Sequence, residues 1–217
     1  TESQRTTRSI TIMADNKLEA FTSPIGTAVF PWITKADTRF NADGVFKTEL
    51  SVPFEEAQAF IAKLEKVRDD FIATLDPAKQ AQYTAVNVYD EEYSRPDFPK
   101  DATDEEKDAI RAAHVPEPTG NVLFKFKLNA RVTPRDETKD SFTQQPIVVS
   151  AEDGAAVEGP VYMGSVIRVK GQIAPYTNAM SKMAGITLRM KAVQVIELVG
   201  GGDGGSSSFW TDFGDDS

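Results

Sequence analysis

Two stretches of the chain alternate apolar and polar residues at every second position, the pattern of a strand with one face buried. In Val45 to Val52, Phe46, Thr48, Leu50 and Val52 share one face, while Lys47, Glu49 and Ser51 take the other. From Asn121 onward, Val122, Phe124, Phe126 and Leu128 point one way, and Leu123, Lys125, Lys127, Asn129 and Arg131 point the other. An extended segment from Ile25 to Thr34 carries Val29, Phe30, Trp32 and Ile33, and the turn Asn41-Ala42-Asp43-Gly44 leads from it into the first alternating strand. Pro53 closes that strand. Further strands are predicted at Ile147 to Ser150, Tyr162 to Ile173 and Ile186 to Leu198, with Gly164 and Gly171 flanking the basic run Val166 to Lys170.

Between the early and late strands the rhythm changes to three and four. Ala57, Phe60, Ile61, Leu64, Val67, Phe71, Ile72 and Leu75 form one apolar helical stripe, bounded by Pro53 and by Asp76-Pro77. Thr103-Asp104-Glu105-Glu106 is a capping box, in which Glu106 reaches back to the Thr103 backbone. It predicts a second helix to about Ala113, stopped ahead of Pro116 and Pro118. Tyr89 to Asp101, a mixture of acids, aromatics and prolines, reads as a loop.

The organisation that follows is a leader over residues 1–20, with Met13 a candidate start, and a domain over 21–199 with a helical insertion at about 54–120. A Gly/Ser linker and acidic tail occupy 200–217. The fold class is mainly β. About five strands around an inserted helix fit a partly open barrel of the OB type, although an α+β sandwich satisfies the same pattern.

With 40 % apolar residues in a chain of 217, there is enough to build a core, and no cysteine to brace it. No apolar run reaches the 18 residues of a membrane span, so no membrane association is expected. The net charge of −9 opposes nucleic acid at first sight. Its distribution changes that picture. Residues 85–120 hold 10 acids and 4 bases, whereas residues 121–199 hold 10 bases and 7 acids. The late strands are therefore the basic part of an acidic chain.

Catalytic chemistry finds little support. With no Cys and one His, His114, neither a Cys/His zinc site nor a serine triad assembles. There is no P-loop and no dinucleotide-binding glycine motif. Asp90-Glu91-Glu92 and Asp104-Glu105-Glu106 are the candidates for a metal-dependent nuclease, but solvated and capping carboxylates explain them as well. No cofactor is expected.

What remains is a grip on unpaired nucleotides, which needs cations along the phosphates and flat rings under the bases. Lys125, Lys127 and Arg131 share a strand face; Arg168 and Lys170 alternate on another strand, as do Arg189 and Lys191. Trp32, Tyr89, Tyr93, Tyr162 and Tyr176 are the candidate stackers. Basic residues on the outer face of a sheet are equally consistent with plain solvation. The tail is more telling: residues 201–217 hold 4 acids and no base, yet place Phe209, Trp210 and Phe213 where they cannot form a core. Rings in such a segment suggest a docking motif, and a protein-interaction adaptor is the rival to nucleic-acid binding.

Particular strings resemble the single-stranded DNA-binding proteins of T7-type bacteriophages. They run in order from Phe21-Thr22-Ser23-Pro24-Ile25-Gly26-Thr27-Ala28 and Trp32-Ile33-Thr34-Lys35, through Gly44-Val45-Phe46-Lys47 and Leu50-Ser51-Val52-Pro53, to Phe124-Lys125-Phe126-Lys127. Ile147-Val148-Val149, Val169-Lys170, Ala174-Pro175-Tyr176 and Ile196-Glu197-Leu198 follow, with the glycine linker and acidic tail behind. The resemblance implies a non-enzymatic OB-fold protein that coats single strands during phage DNA replication, and in repair and recombination, in the cytoplasm of the infected host. It implies that Lys125 and Lys127 contact the backbone, that Tyr176 stacks, and that Trp32 and Lys35 occupy the matching first strand. Arg131, Tyr162 and Arg168 complete the expected groove. The tail residues Phe209, Trp210, Asp212, Phe213, Asp215 and Asp216 would meet the phage DNA polymerase and primase-helicase, and would compete with DNA. A homodimer is a further expectation. Two departures from the family pattern stand out: Asn178 replaces an aromatic, and the tail ends on Ser217 rather than on a ring.

Overall fold

The computed structural model describes residues 18–134, 138 and 140–200, so most of the leader and the six expected tail contacts lie outside the described residues. Three strands open the described chain: β1 (Glu19–Thr22), β2 (Gly26–Asp37) and β3 (Val45–Pro53). The insertion follows, with α1 (Phe54–Ala73), the short α2 (Pro77–Gln80), β4 (Thr84–Ala85), β5 (Asp90–Tyr93) and α3 (Asp104–Ala113). Then come β6 (Pro118–Asn129), β7 (Arg131–Val132), β8 (Phe142–Thr143), β9 (Ile147–Ser150), β10 (Val166–Asn178) and β11 (Met183–Glu197).

Five of these strands close a ring. β2, β3, β6, β11 and β10 are hydrogen-bonded in that order, and β10 returns to β2 through Val166↔Thr27 and Ile167↔Gly26. Neighbours run antiparallel except β6 and β11, which meet in parallel at Phe126↔Leu188 and Lys127↔Arg189. Counted along the chain, the ring order is first, second, third, fifth, fourth. That is the Greek-key barrel of the OB fold, partly open where β6 and β11 share so short a ladder.

Alternation fills the barrel. Phe46, Thr48, Leu50 and Val52 of β3 face Val122, Phe124, Phe126 and Leu128 of β6 across a continuous antiparallel register, and all eight are buried. Helix α1 plugs one end with Ala57, Phe60, Ile61 and Leu64. Phe60 meets Phe124 edge-on at 5.0 Å, and Phe21 lies 5.8 Å from Phe60 and 5.6 Å from Phe126. Pro53 ends β3 because it cannot donate to the ladder, and it leads directly into the helix. The capping box forms as the sequence predicts: the Glu106 amide donates to the Thr103 hydroxyl, and the Thr103 amide donates to the Glu106 carboxylate.

The strand boundaries differ from the sequence pattern in several places: β2 runs three residues past the expected Thr34, and β4, β7 and β8 are short strands that the pattern does not show. β1 starts at Glu19, inside the segment assigned to the leader, and pairs with β10. β5 lies within the segment read as a loop: its acids have little strand propensity, but the open edge of β6 recruits them. β10 begins at Val166, leaving Tyr162 outside it, and runs on to Asn178. Gly171 sits inside β10 at a bulge, where an added Cβ would overlap the Arg189 carbonyl. β11 begins at Met183, three residues before the expected start at Ile186.

Candidate nucleic-acid interface

The outward face of β2, β3 and β6 forms the floor of an open groove of about 1080 Å³. One cross-strand row organises it. Trp32 pairs with Lys47, Lys47 with Lys127, and Lys127 with Arg189, so these side chains leave the barrel on the same side. Pro31 explains how Trp32 reaches its place. Lacking an N–H, it cannot join the ladder, and the β2–β3 register shifts between Val29 and Trp32. Phe30 beside it takes φ of 48°, left-handed for a ring-bearing residue, a strain of about 1–3 kcal/mol of the kind found at binding sites. Both rings line the groove.

The two barrel loops that flank this face in OB folds contribute as well. From the loop between β2 and β3, the Arg39 guanidinium lies 4.8 Å from the Trp32 ring and 5.8 Å from the Phe40 ring. Phe40 is 90 % exposed, a ring offered to solvent beside Arg39. At the other end Tyr176, two residues before the end of β10, lies across Gly185, its cross-strand partner. In the loop between β10 and β11, Met180 is 96 % exposed. Tyr89 lines the wall that comes from the insertion.

The groove's cations fall into two groups. Arg39, Lys47 and Lys125 already have carboxylate partners. Buried Asp37 accepts from Arg39 Nε at 3.0 Å and Nη2 at 3.2 Å, and from Lys47 Nζ at 2.7 Å. These cations hold the Asp37 carboxyl far below the usual carboxylate range, the Arg39 hydrogen bonds most of all. Lys125 Nζ lies 2.6 Å from Asp90, which raises the lysine's pKa. Lys127 makes no hydrogen bond or ion pair among the described residues.

A pH dependence follows from Asp37. Because its pKa is depressed in the folded state, its contribution to stability is complete above the unfolded carboxylate value of about 3.9 and fades as pH falls below it. Asp37→Asn is therefore expected to lower the urea midpoint at pH 6 to 7, and the gap from the parent protein should narrow on acidification toward pH 3. A gap independent of pH would show that Asp37 does not stabilise the fold through its charge.

Of the eight residues expected to contact DNA, the groove gathers Trp32, Lys125, Lys127 and Tyr176. The expectation that Arg131 and Arg168 line the same groove is not met. Arg131 sits over a second hollow, 4.0 Å from Asp43 and donating to the Ser141 hydroxyl. Arg168 pairs across with Gln194, further round the barrel, and its buried Nε has no partner. Lys35 and Tyr162 also lie outside the groove lining. Phe30, Arg39 and Lys47 line it without having been singled out, and the Asn-Gly-bounded turn after Arg39 was the one local signal that a barrel loop lay there.

The acidic clusters are engaged structurally. Asp90 holds Lys125. Glu92 is buried and accepts from the Ser51 hydroxyl and from Asn121 Nδ2 at 3.2 Å, tying β5 to β3 and β6. The second cluster caps α3. Among the described residues no group of three potential ligands is placed to hold a metal ion.

No protein-family model matches the chain, and no curated protein matches it significantly. Solved structures do. The chain superposes on the single-stranded DNA-binding protein gp2.5 of bacteriophage T7 with a TM-score of 0.60 and 24 % identity, over 92 % of this chain and 96 % of that one. At that identity the likeness establishes the shared fold. Two structures of the single-stranded DNA-binding protein of bacteriophage Enc34, one a C-terminal truncation and one in complex with ssDNA, superpose at 0.49 and 0.48. Both are 10 % identical and cover 83 % of this chain and 87 % and 88 % of theirs, a level that carries no structural inference.

Proposed function

We propose that this chain binds single-stranded DNA without sequence preference, holding it across the β2–β3–β6 face. The observation that carries the reading is the row Trp32, Lys47 and Lys127, with Tyr176 at its far end, all lining one open groove. Rings there accept any base, since every base has a stacking face, and Lys127 accepts a phosphate. Lys125 reaches the backbone only by exchanging Asp90 for it. The fold it shares with a phage protein named for single-stranded DNA binding supports the same reading.

The finer parts of the proposal concern setting and partners. The protein acts in phage DNA replication, and in repair and recombination, within the infected host. Phe209, Trp210, Asp212, Phe213, Asp215 and Asp216 meet the polymerase and primase-helicase, and the tail competes with DNA for the groove. What supports this is the charge pattern, an acidic tail on a glycine linker behind basic strands. Electrophoretic shift of oligo-dT tests the binding, and removal of residues 200–217 tests the competition. The parent protein should shift oligo-dT at moderate salt, and the truncated form should bind more tightly, most of all at low salt where screening is weak. Absence of any shift would favour the adaptor reading; equal affinities at low salt would remove the tail from the groove.

A further inference from the structure

The groove's paired and unpaired cations point to where the phosphates leave it, an inference that rests on the single-strand reading above. Arg39 and Lys47 share Asp37, and Lys125 is matched by Asp90, so the groove interior presents little net positive charge. Beyond Lys127 the pattern reverses. Arg189 is the parallel partner of Lys127 on β11, so the two residues stand about 4.8 Å apart on one face of the sheet. Lys191 follows two residues further along β11. The β10–β11 register jumps there, with Gly171 opposite Met190 and Lys170 opposite Ala192, so Lys191 is the extra residue of a bulge. Both Arg189 and Lys191 are exposed, and neither makes a hydrogen bond or ion pair among the described residues. Neither lines the groove itself. β6 leaves the edge of β11 after Arg189, and β9 joins it at Ala192, so the bulge lies in the interval between two neighbours.

We propose that the DNA backbone continues out of the groove over this step, from Lys127 across Arg189 to Lys191, making β11 a second segment of the binding track. The groove then stacks bases, and the free row beyond it takes phosphates. A strand short enough to fit the groove does not reach Arg189 and Lys191; a longer one does.

The test compares Arg189→Gln/Lys191→Gln with the parent protein on two oligonucleotides, dT of about 5 nucleotides, near the lower end of OB-fold site sizes, and dT of about 20, beyond their upper end. Each lost phosphate contact lowers the slope of log affinity against log salt by about 0.7 for a single strand. The slope on the long oligonucleotide should fall by about 1.4 and the affinity with it, while the short one binds unchanged. Lys127→Ala serves as the reference, lowering the slope on both lengths by about 0.7. Arg189→Lys/Lys191→Arg should restore the long-strand slope, separating charge from any loss of fold. An unchanged slope on the long oligonucleotide, or an equal fall on both, would overturn the track. If the parent protein bound neither length, the single-strand reading would fail, and the track with it.

Discussion

Trp32→Ala is expected to weaken binding of oligo-dT by roughly 5- to 150-fold, the loss of about 1–3 kcal/mol that one stacked base contributes. The ring does two things at once. It offers a face to a base, and it holds the Arg39 guanidinium 4.8 Å away, itself fixed by Asp37. Trp32→Phe keeps a stacking face and should recover much of the affinity. Trp32 is only partly buried on the outer side of the barrel, so neither substitution should unfold the protein. Fluorescence anisotropy of a labelled oligonucleotide, with circular dichroism as the check on folding, measures the effect. Parent-like affinity in Trp32→Ala would remove the ring from the site.

The second large effect is on stability. Phe124→Ala should cost about 3–5 kcal/mol, the range for emptying a fully buried aromatic position. Phe124 has no exposed surface, sits opposite Leu50 in the β3–β6 register, and meets Phe60 of the plugging helix. Lys125 and Lys127 of the same strand present two of the groove's cations, so β6 supports both core and site. Urea denaturation should show a lower midpoint with little change in slope. A loss below about 1 kcal/mol would mean that β6 and α1 do not pack as described.

The elements most legible in the sequence were those whose pattern is local. The two-residue alternation of Val45–Val52 and Asn121–Leu128 returned as β3 and β6, with the expected face inward. The first half of the stripe, Ala57, Phe60, Ile61 and Leu64, returned as the buried face of α1, while Leu75 falls beyond the helix, and the Thr103 box returned as the cap of α3. β5 escaped because its residues prefer exposure, and only the edge of β6 makes them a strand.

The site was legible by halves for a related reason. Alternation tells which residues leave the barrel but not in which direction, because a closed ring has an outside all the way round. Lys127 and Arg168 carry the same strand signature, yet one lies over the groove and the other pairs with Gln194 elsewhere. Arg39 and Lys47 were hidden differently. Their roles depend on Asp37 and on the register that sets Trp32 beside Lys47. The sheet's register joins the segments around Trp32, Lys127 and Arg189, and no short motif contains it.

Stacking of unpaired bases on Trp32 in the groove can be read from the fluorescence of that ring itself. The chain has two tryptophans, so Trp210→Phe leaves Trp32 as the sole indole reporter. Titrating that variant with oligo-dT should quench its emission to saturation, and added salt should reverse the quenching, as phosphate contacts require. Emission that stays constant while oligo-dT is bound would contradict this stacking, because the strand would then lie somewhere else on the protein.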